Sequence, residues 1–242
     1  MDWHNRYIQQ ALWTRELRDY LFRQGTLSNA SHVLEVGCGT GAILSEFPES
    51  ISVHGLDIDA AALTRCQLYA PAAVLAQGDA LQLPYSHQTF DIVYCHFLLL
   101  WVKDPLQALL EMKRVARTGG HIMAFAEPDY NARRDEPPEL IPLGRLQASS
   151  LRRQGADPGL GARLAELFFL AGIGPLETGP IQRTKAVRSL GDFEMEWEVI
   201  ESDLAGVVPD GEIQNMKRLD ERARARGERV LHVPTYFAWG RA

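Results

Sequence analysis

Between His32 and Ala126, five short apolar runs alternate with stretches of helical character, and this alternation restricts the fold more than any other feature of the chain. The runs are HVLEV (32–36), ISVHGL (51–56), AAVLAQ (72–77), FDIVYC (90–95) and HIMAFA (121–126). Each is short and largely apolar at consecutive positions, as expected of a strand covered on both faces. Helical segments separate most of them: Thr40–Phe47, ended by Pro48; Ala60–Tyr69, closed by Pro71; and Pro105–Ala116. The last has its proline at the start, where a missing N–H costs nothing, and Gly119-Gly120 is expected to end it. A turn-rich segment, GDALQLPYSHQT, joins the third run to the fourth. Strands linked through helices must cross over, so the sequence predicts an α/β fold: a parallel sheet with helices on both faces.

Residues 3–22 precede the first strand and carry Trp3, Tyr7, Ile8, Leu12, Leu17 and Leu21 near a helical period, an amphipathic helix. After Glu127 the character changes to the polar, proline-containing EPDYNARRDEPPEL, read as a loop. Helices are expected at Ile141–Arg153 and Leu160–Ala171, a strand near Leu176–Arg183, and a final strand in VLHVPTYFAWG. Between those two strands lie Phe193–Leu204 and Gly211–Ala225, both helical in character. So long a connection is no ordinary hairpin loop, and it reads as a helical insertion before the last strand. The expected division of a single domain over 1–242 is an N-terminal lid helix at 1–25, a core at 26–185, the insertion at 186–228 and the last strand at 229–242.

A net charge of −6 argues against broad contact with phosphate backbones, so no nucleic-acid partner is expected. No apolar run reaches the roughly 18–20 residues of a membrane helix. The N-terminus lacks the basic and apolar regions of a secretory signal, so no membrane insertion is expected and the setting is read as cytoplasmic. Cys38, Cys66 and Cys95 are odd in number and far apart, which fits reduced thiols. With no H-E-x-x-H, no C-x-x-C and no cluster of acids and histidines at ligand spacing, no metal is expected.

The first strand runs into VGCGTG, where Gly37, Gly39 and Gly41 occupy alternate positions. Such a turn lets a ligand approach the backbone closely. Gly37, Gly39 and Ala42 satisfy G-x-G-x-x-A, and Asp57 follows Gly37 by 20 residues, the spacing at which an acid meets a ribose hydroxyl. An adenosine-type cofactor is implied, but not which one. Glu35 favours a cofactor without phosphate, because a carboxylate beside the turn would repel a pyrophosphate and attract a cation.

On these residues the chain resembles the class I S-adenosylmethionine-dependent methyltransferases. VLEVGCGTG is similar to the family's first motif, and VHGLDID to its second strand with the ribose-binding acid. AQGDALQLPYSHQTFDIVYC and KDPLQALLEMKRVARTGGHIMAFAEPD follow in the family's order. The likeness covers about residues 30–130, and AELFFLAGI with the terminal strand extends it weakly. It implies a Rossmann-like, seven-stranded, mostly parallel sheet whose last strand is antiparallel, with S-adenosylmethionine as cofactor. It also implies residue roles. Glu35 lies near the methionine end, and the backbone of Gly37, Gly39 and Thr40 packs beneath the cofactor. Asp57 holds the ribose hydroxyls, with Ile58 against the adenine. Asp79, with Ala80 beside it, accepts the adenine amino group, and the Cys95 backbone lies near the amino-acid portion. Read without the resemblance, Asp57 also suits a helix cap, Asp79 a turn former and Cys95 a packing residue.

Methyl transfer from a sulfonium is an in-line displacement that needs chiefly orientation, and a base only where the acceptor loses a proton. His96, directly after the fourth strand, is the candidate catalytic residue, against the reading of a histidine packed in the turn. Glu127 and Asp129 are candidates for shaping an acceptor pocket, against solvated loop acids. Tyr7, Trp13 and Arg15 are candidates to bring the first helix over the cofactor, with Arg15 pairing to its carboxylate. YCHF ends the fourth strand in place of the N/D-P-P-Y that marks methylation of base or amide nitrogens in the family, so O or C attack on a small molecule is favoured. In FEMEWEV, Phe193, Met195, Trp197 and Val199 suit either an apolar acceptor or packing. KRLDERARARGER (217–229) reads as a solvated helix face. Two rival readings stand: an NAD(P)-dependent oxidoreductase on the same turn, and a non-catalytic cofactor-binding partner subunit.

Overall fold

The computed structural model describes residues 2–24, 32–181 and 190–242. Helix α1 (Trp3–Gln24) is followed by β1 (His32–Val36), β2 (Ser52–Asp57), α2 (Ala60–Tyr69), β3 (Val74–Gln77), β4 (Phe90–His96), α3 (Pro105–Val115) and β5 (Ala116–Pro128). Then come β6 (Arg134–Glu136), α4 (Ile141–Arg153), α5 (Leu160–Leu170), β7 (Gly174–Pro180), α6 (Leu190–Leu204), α7 (Asp210–Ala225), β8 (Val230–His232) and β9 (Thr235–Arg241). Seven strands form one sheet in the order β3-β2-β1-β4-β5-β9-β7, while β6 and β8 form a separate pair. Strands β1 to β5 run parallel to one another, and β9 is antiparallel to both β5 and β7. The sheet order reverses between β1 and β4, the switch point at which open α/β sheets bind ligands.

Alternation along each strand divides the core into two layers. Leu34, Val36, Val93 and Cys95 face Leu109 and Met112 of α3 and Leu164 and Phe168 of α5. Val33, Ile92, Tyr94 and Phe125 face Leu21 and Phe22 of α1 and Cys66 of α2. A third cluster lies apart from the sheet: Phe193, Trp197, Ile200 and Leu204 of α6 pack on Leu140, on Leu143 of α4, and on Ile213 and Ala223 of α7. Phe193 and Trp197 therefore fill the interior of the helical unit and do not face an acceptor.

Several expectations are corrected. Residues 40–47 form no α-helix, only a single 3-10 turn at Leu44–Glu46. The glycine turn extends to Gly41, which is left-handed at φ +80°, and Phe47 before Pro48 is extended, leaving too few residues for a regular helix. Gly119 and Gly120 lie inside β5 and do not end α3, beside a bulge opposite Phe90 and Ile92. Strand β5 continues through Glu127 and Pro128. The terminal segment is two strands, because Pro234 has no N–H to continue a ladder and its carbonyl accepts from Asp129 N (2.7 Å). Strand β7 begins and ends earlier than expected; Gln182 and Arg183 lie outside the described residues, as do the expected divisions at 25/26 and 185/186.

The basic run 217–229 is not wholly a solvated face. Asp220 and Arg229 are buried in a chain of charges that fixes the helical unit to the segment after β5. Asp220 accepts from Trp197 Nε1 (2.9 Å), Arg224 Nε (2.9 Å) and Arg229 Nε. Arg229 Nη2 reaches Asp135 (2.9 Å), which also pairs with Arg133 (2.7 Å), and Arg133 Nη1 donates to Gln147 on α4.

Candidate functional site

The carboxyl ends of β1, β2, β3 and β4 bring the expected cofactor residues to one edge of the sheet. Gly37 N and Cys38 N donate to Leu56 O (2.7 and 3.0 Å), which ties the glycine turn to the end of β2. Gly37 is left-handed at φ +74°, and a Cβ there would lie 2.6 Å from Leu98 Cδ1. Only glycine satisfies both the conformation and the approach.

Asp57 ends β2 beside this turn. Its Oδ2 accepts from Gly39 N (2.7 Å) and its Oδ1 from Asp59 N (2.9 Å). The cap of α2 is Asp59, whose Oδ1 accepts from Ala61 N (2.8 Å). Asp57 is thus excluded as the cap, and its oxygens retain lone pairs for further donors. Ile58 next to it is 68% exposed and leaves an apolar face open beside the end of β2. Gly78 N donates to Asp57 O (3.0 Å), which sets Asp79 beside the end of β2. Asp79 forms a local turn by accepting from Leu81 N (2.9 Å), and Ala80 packs against the core. Cys95 is fully buried in register with Val36, and burial pushes its thiol well above the usual range, so it is no nucleophile.

Glu35 lies on the α1 side of β1, opposite Tyr94 in register, and accepts from Tyr94 Oη (3.0 Å). Burial raises its carboxyl well above the ordinary value, against the Tyr94 bond and the nearby Arg18. The carboxyl is therefore answered inside the α1 layer and presents no open negative charge beside the turn.

Helix α1 covers the turn. A Cβ on Gly39 would meet the Tyr7 ring at 3.1 Å, while His4 Nδ1 bonds Thr40 Oγ1 (2.8 Å) and the His4 ring stacks on Tyr69 at 3.4 Å. Trp13 packs edge-on against Phe97 and beneath the Arg6 guanidinium. Arg15 does not point to the site; it pairs at the surface with Glu46 (2.8 Å). Sequence reasoning missed Arg18, which is buried at 1% exposure and donates to Ala11 O, Thr14 Oγ1 and Glu46 Oε2 (each 2.5 Å). A cation on the helix face opposite the solvated one was the available signal.

His96 ends β4 beneath α1, with Nε2 2.9 Å from Thr14 Oγ1. Burial and then the Arg18 charge push its imidazole down to about 3, so it is neutral in this arrangement. Neither Glu127 nor Asp129 is a solvated loop acid. Glu127 is fully buried and accepts three backbone N–H groups, while Asp129 caps the 3-10 turn Tyr130–Ala132 through Asn131 N (3.0 Å) and Ala132 N (3.2 Å). Beyond them, Asp203 of α6 accepts from Gln147 Nε2 (2.7 Å), and its charge and that of Arg6 both act on the Tyr130 hydroxyl. No group of three or more metal-ligating side chains occurs among the described residues, and no helix among them is long and apolar enough to cross a membrane.

Adenosine needs hydrogen-bond acceptors for its hydroxyls and an apolar face, and Asp57, Asp79, Ile58 and Ala80 meet those needs. The other half of such a ligand would lie over the glycine turn, where the Tyr7 ring now covers Gly39. The donor set fits, provided the start of α1 moves.

Residues 34–124 match the family model for a methyltransferase domain. A phosphatidylethanolamine N-methyltransferase of Cereibacter sphaeroides is 34% identical over 40% of this chain and 50% of its own. A demethylmenaquinone methyltransferase of Lactiplantibacillus plantarum is 33% identical over 48% of this chain and 54% of its own. The chain spans about half the length of these curated relatives. The solved N-methyltransferase NodS of Bradyrhizobium japonicum, in complex with S-adenosylhomocysteine, superposes with a TM-score of 0.54 at 16% identity, over 95% of this chain and 87% of that one, a likeness of fold. Motif order, sheet order and family match agree that residues 34–124 form a methyltransferase domain like those of the class I S-adenosylmethionine-dependent enzymes.

Proposed function

We propose that the protein transfers a methyl group from S-adenosylmethionine to a small-molecule acceptor, at oxygen or carbon. The observation that carries the reading is the meeting of the Gly37–Thr40 turn, Asp57 and Asp79 at the switch point of a parallel sheet. In this reading Asp57 accepts from the ribose hydroxyls and Ile58 covers one adenine face. Asp79 accepts from the adenine amino group beside Ala80, while the backbones of Gly37, Gly39, Thr40 and Cys95 line the amino-acid half. The cofactor supplies an electrophilic methyl on a sulfonium, and the chain's own work is orientation and exclusion of water.

Glu35 lies near the methionine end, with its carboxyl held by Tyr94 Oη. A histidine held near a pKa of 3 is a poor base at neutral pH, so His96 is proposed to touch and orient the acceptor, with no proton abstraction in the closed arrangement. The acceptor side is bounded by α1, the segment after β5 and α6, where Trp13, Phe97 and Tyr130 are aromatic and Arg6 and Asp203 polar. An enclosure of that make-up suits a compact, partly apolar molecule.

The test is incubation with methyl-labelled S-adenosylmethionine and a panel of small hydroxylated and quinone-type compounds, with label followed into product. Label on an oxygen or carbon supports the reading. Label on nitrogen alone overturns the regiochemistry. Tight binding of a nicotinamide dinucleotide without binding of S-adenosylhomocysteine overturns the function.

A further inference from the structure

Glu127 is unusual among the carboxylates of this chain. It is fully buried, and its Oε1 accepts from Leu98 N (3.1 Å) and Leu99 N (2.9 Å) while its Oε2 accepts from Leu100 N (3.1 Å). These donors are successive N–H groups of the segment that leaves β4. On either side of the clasp the backbone is forced: Phe97 (φ +53°) and Ala126 (φ +63°) are both left-handed without being glycine, and Phe97 N donates to Phe125 O (3.1 Å). Such conformations persist only where surrounding bonds over-determine them, and they cluster at working sites. The ladder between β5 and β9 is also irregular between Ala124 and Glu127. Glu127 stands at the end of that irregularity, and the segment it grips carries Leu98, whose side chain lies against Gly37.

We propose that Glu127 is a positioning residue: its carboxylate fixes the Leu98–Leu100 backbone and thereby sets the floor under the amino-acid half of the cofactor. The inference rests on the cofactor reading above. An ionised carboxylate offers acceptors to all three N–H groups, whereas a protonated one turns a hydroxyl hydrogen toward them and loses at least one bond. Burial, opposed by those three bonds, pushes the group up to about 7, so the clasp is complete only on the alkaline side. The titratable group coupled to it is Cys95 on β4, and Tyr236 of β9 stands opposite it in register. Glu35, whose carboxyl is also raised, titrates alike in wild type and variant, so the difference between the two isolates Glu127.

The experiment compares wild type, Glu127→Gln and Glu111→Gln. Glu111 holds a different loop by the same kind of bond, to Leu83 N (2.8 Å), and pairs with Arg114. S-adenosylhomocysteine is titrated calorimetrically between pH 6 and 8, and amide exchange is followed at Leu98–Leu100. Glu127→Gln is expected to weaken binding at least tenfold at pH 8, with the ratio to wild type shrinking toward pH 6, and to speed exchange at those three amides. Glu111→Gln is expected to leave affinity within twofold and those amides unchanged. If Glu127→Gln does not fold, Glu127→Asp keeps the charge, retracts it by one methylene and is expected to show the same pattern. Affinity within twofold of wild type for a folded Glu127 variant, or a ratio independent of pH, overturns the proposal. Wild type that binds no S-adenosylhomocysteine overturns the cofactor reading, and the amide exchange still reports whether Glu127 holds the segment.

Discussion

Replacing Asp220 with alanine tests how the helical unit is held to the sheet. The carboxylate sits at 1% exposure between Arg229, Arg224 and Trp197, and Arg229 is in turn shared with Asp135. Removing one partner of a buried ion pair costs about 3–5 kcal/mol, because the other charge stays buried. Here Asp135 still faces Arg229, which limits the loss, while the orphaned Trp197 N–H adds about 1–3 kcal/mol. The expected cost is therefore about 3–5 kcal/mol, a large fraction of the stability of a typical domain. Urea denaturation reads it twice, by far-ultraviolet circular dichroism and by tryptophan fluorescence, to which Trp197 contributes. The unit around Trp197 is expected to unfold first in the variant, so the two transitions should separate. The pH dependence has a definite sign. Burial alone would raise the Asp220 carboxyl, but Arg224, Trp197 and Arg229 hold it below the ordinary value. Its stabilisation is thus present above the unfolded-state value and lost as pH falls through the folded one, so wild type and variant should converge in acid. A cost under about 1 kcal/mol, or a gap that widens in acid, would refute the reasoning.

Other outcomes follow from the same geometry. Asp57→Ala should weaken S-adenosylhomocysteine binding by at least ~1–3 kcal/mol, the loss expected for hydrogen bonds to a charged group; unchanged affinity in a titration removes Asp57 from the site. For Glu127 the folded pKa of about 7 exceeds the ordinary glutamate value of 4.5, so its contribution to stability is complete below the lower figure and disappears as pH rises through the upper. Wild type should accordingly lose about 3 kcal/mol relative to Glu127→Gln between pH 4.5 and 8.5, measured by urea titration at fixed pH. Parallel curves would contradict it. Arg15 and Arg18 both pair with Glu46, but at 53% and 1% side-chain exposure. Arg15→Ala should change stability by less than about 1 kcal/mol and Arg18→Ala by roughly 3 kcal/mol, a contrast that thermal melts resolve. The three buried cysteines should resist a thiol reagent in the native state and all react in denaturant; rapid native labelling of Cys95 would argue against its packing.

The sheet and the meeting of the glycine turn with Asp57 were legible because period and glycine spacing are local properties. HVLEV and FDIVYC carry their burial in consecutive apolar residues, and the distance from Gly37 to Asp57 is fixed by one turn, one crossover and one strand. What escaped depends on partners distant in sequence. Glu127 and Asp129 read as solvent acids because the N–H groups that Glu127 accepts belong to Leu98–Leu100, 27 to 29 residues earlier. Glu35 read as an open charge because Tyr94 lies across a strand pairing that composition does not reveal. Asp220 and Arg229 read as surface because alternating signs suit a solvated helix, and only the fold brings Asp135 and Trp197 to them. The missing helix after the glycine turn was a matter of room, since Gly41 and Pro48 leave too short a span between them.

The most direct measurement of the central claim is calorimetric titration of the protein with S-adenosylmethionine and, separately, with a nicotinamide dinucleotide. Saturable one-to-one binding of S-adenosylmethionine, weakened by Asp57→Ala, is expected, with no heat from the dinucleotide. Binding of the dinucleotide with none of S-adenosylmethionine would contradict it.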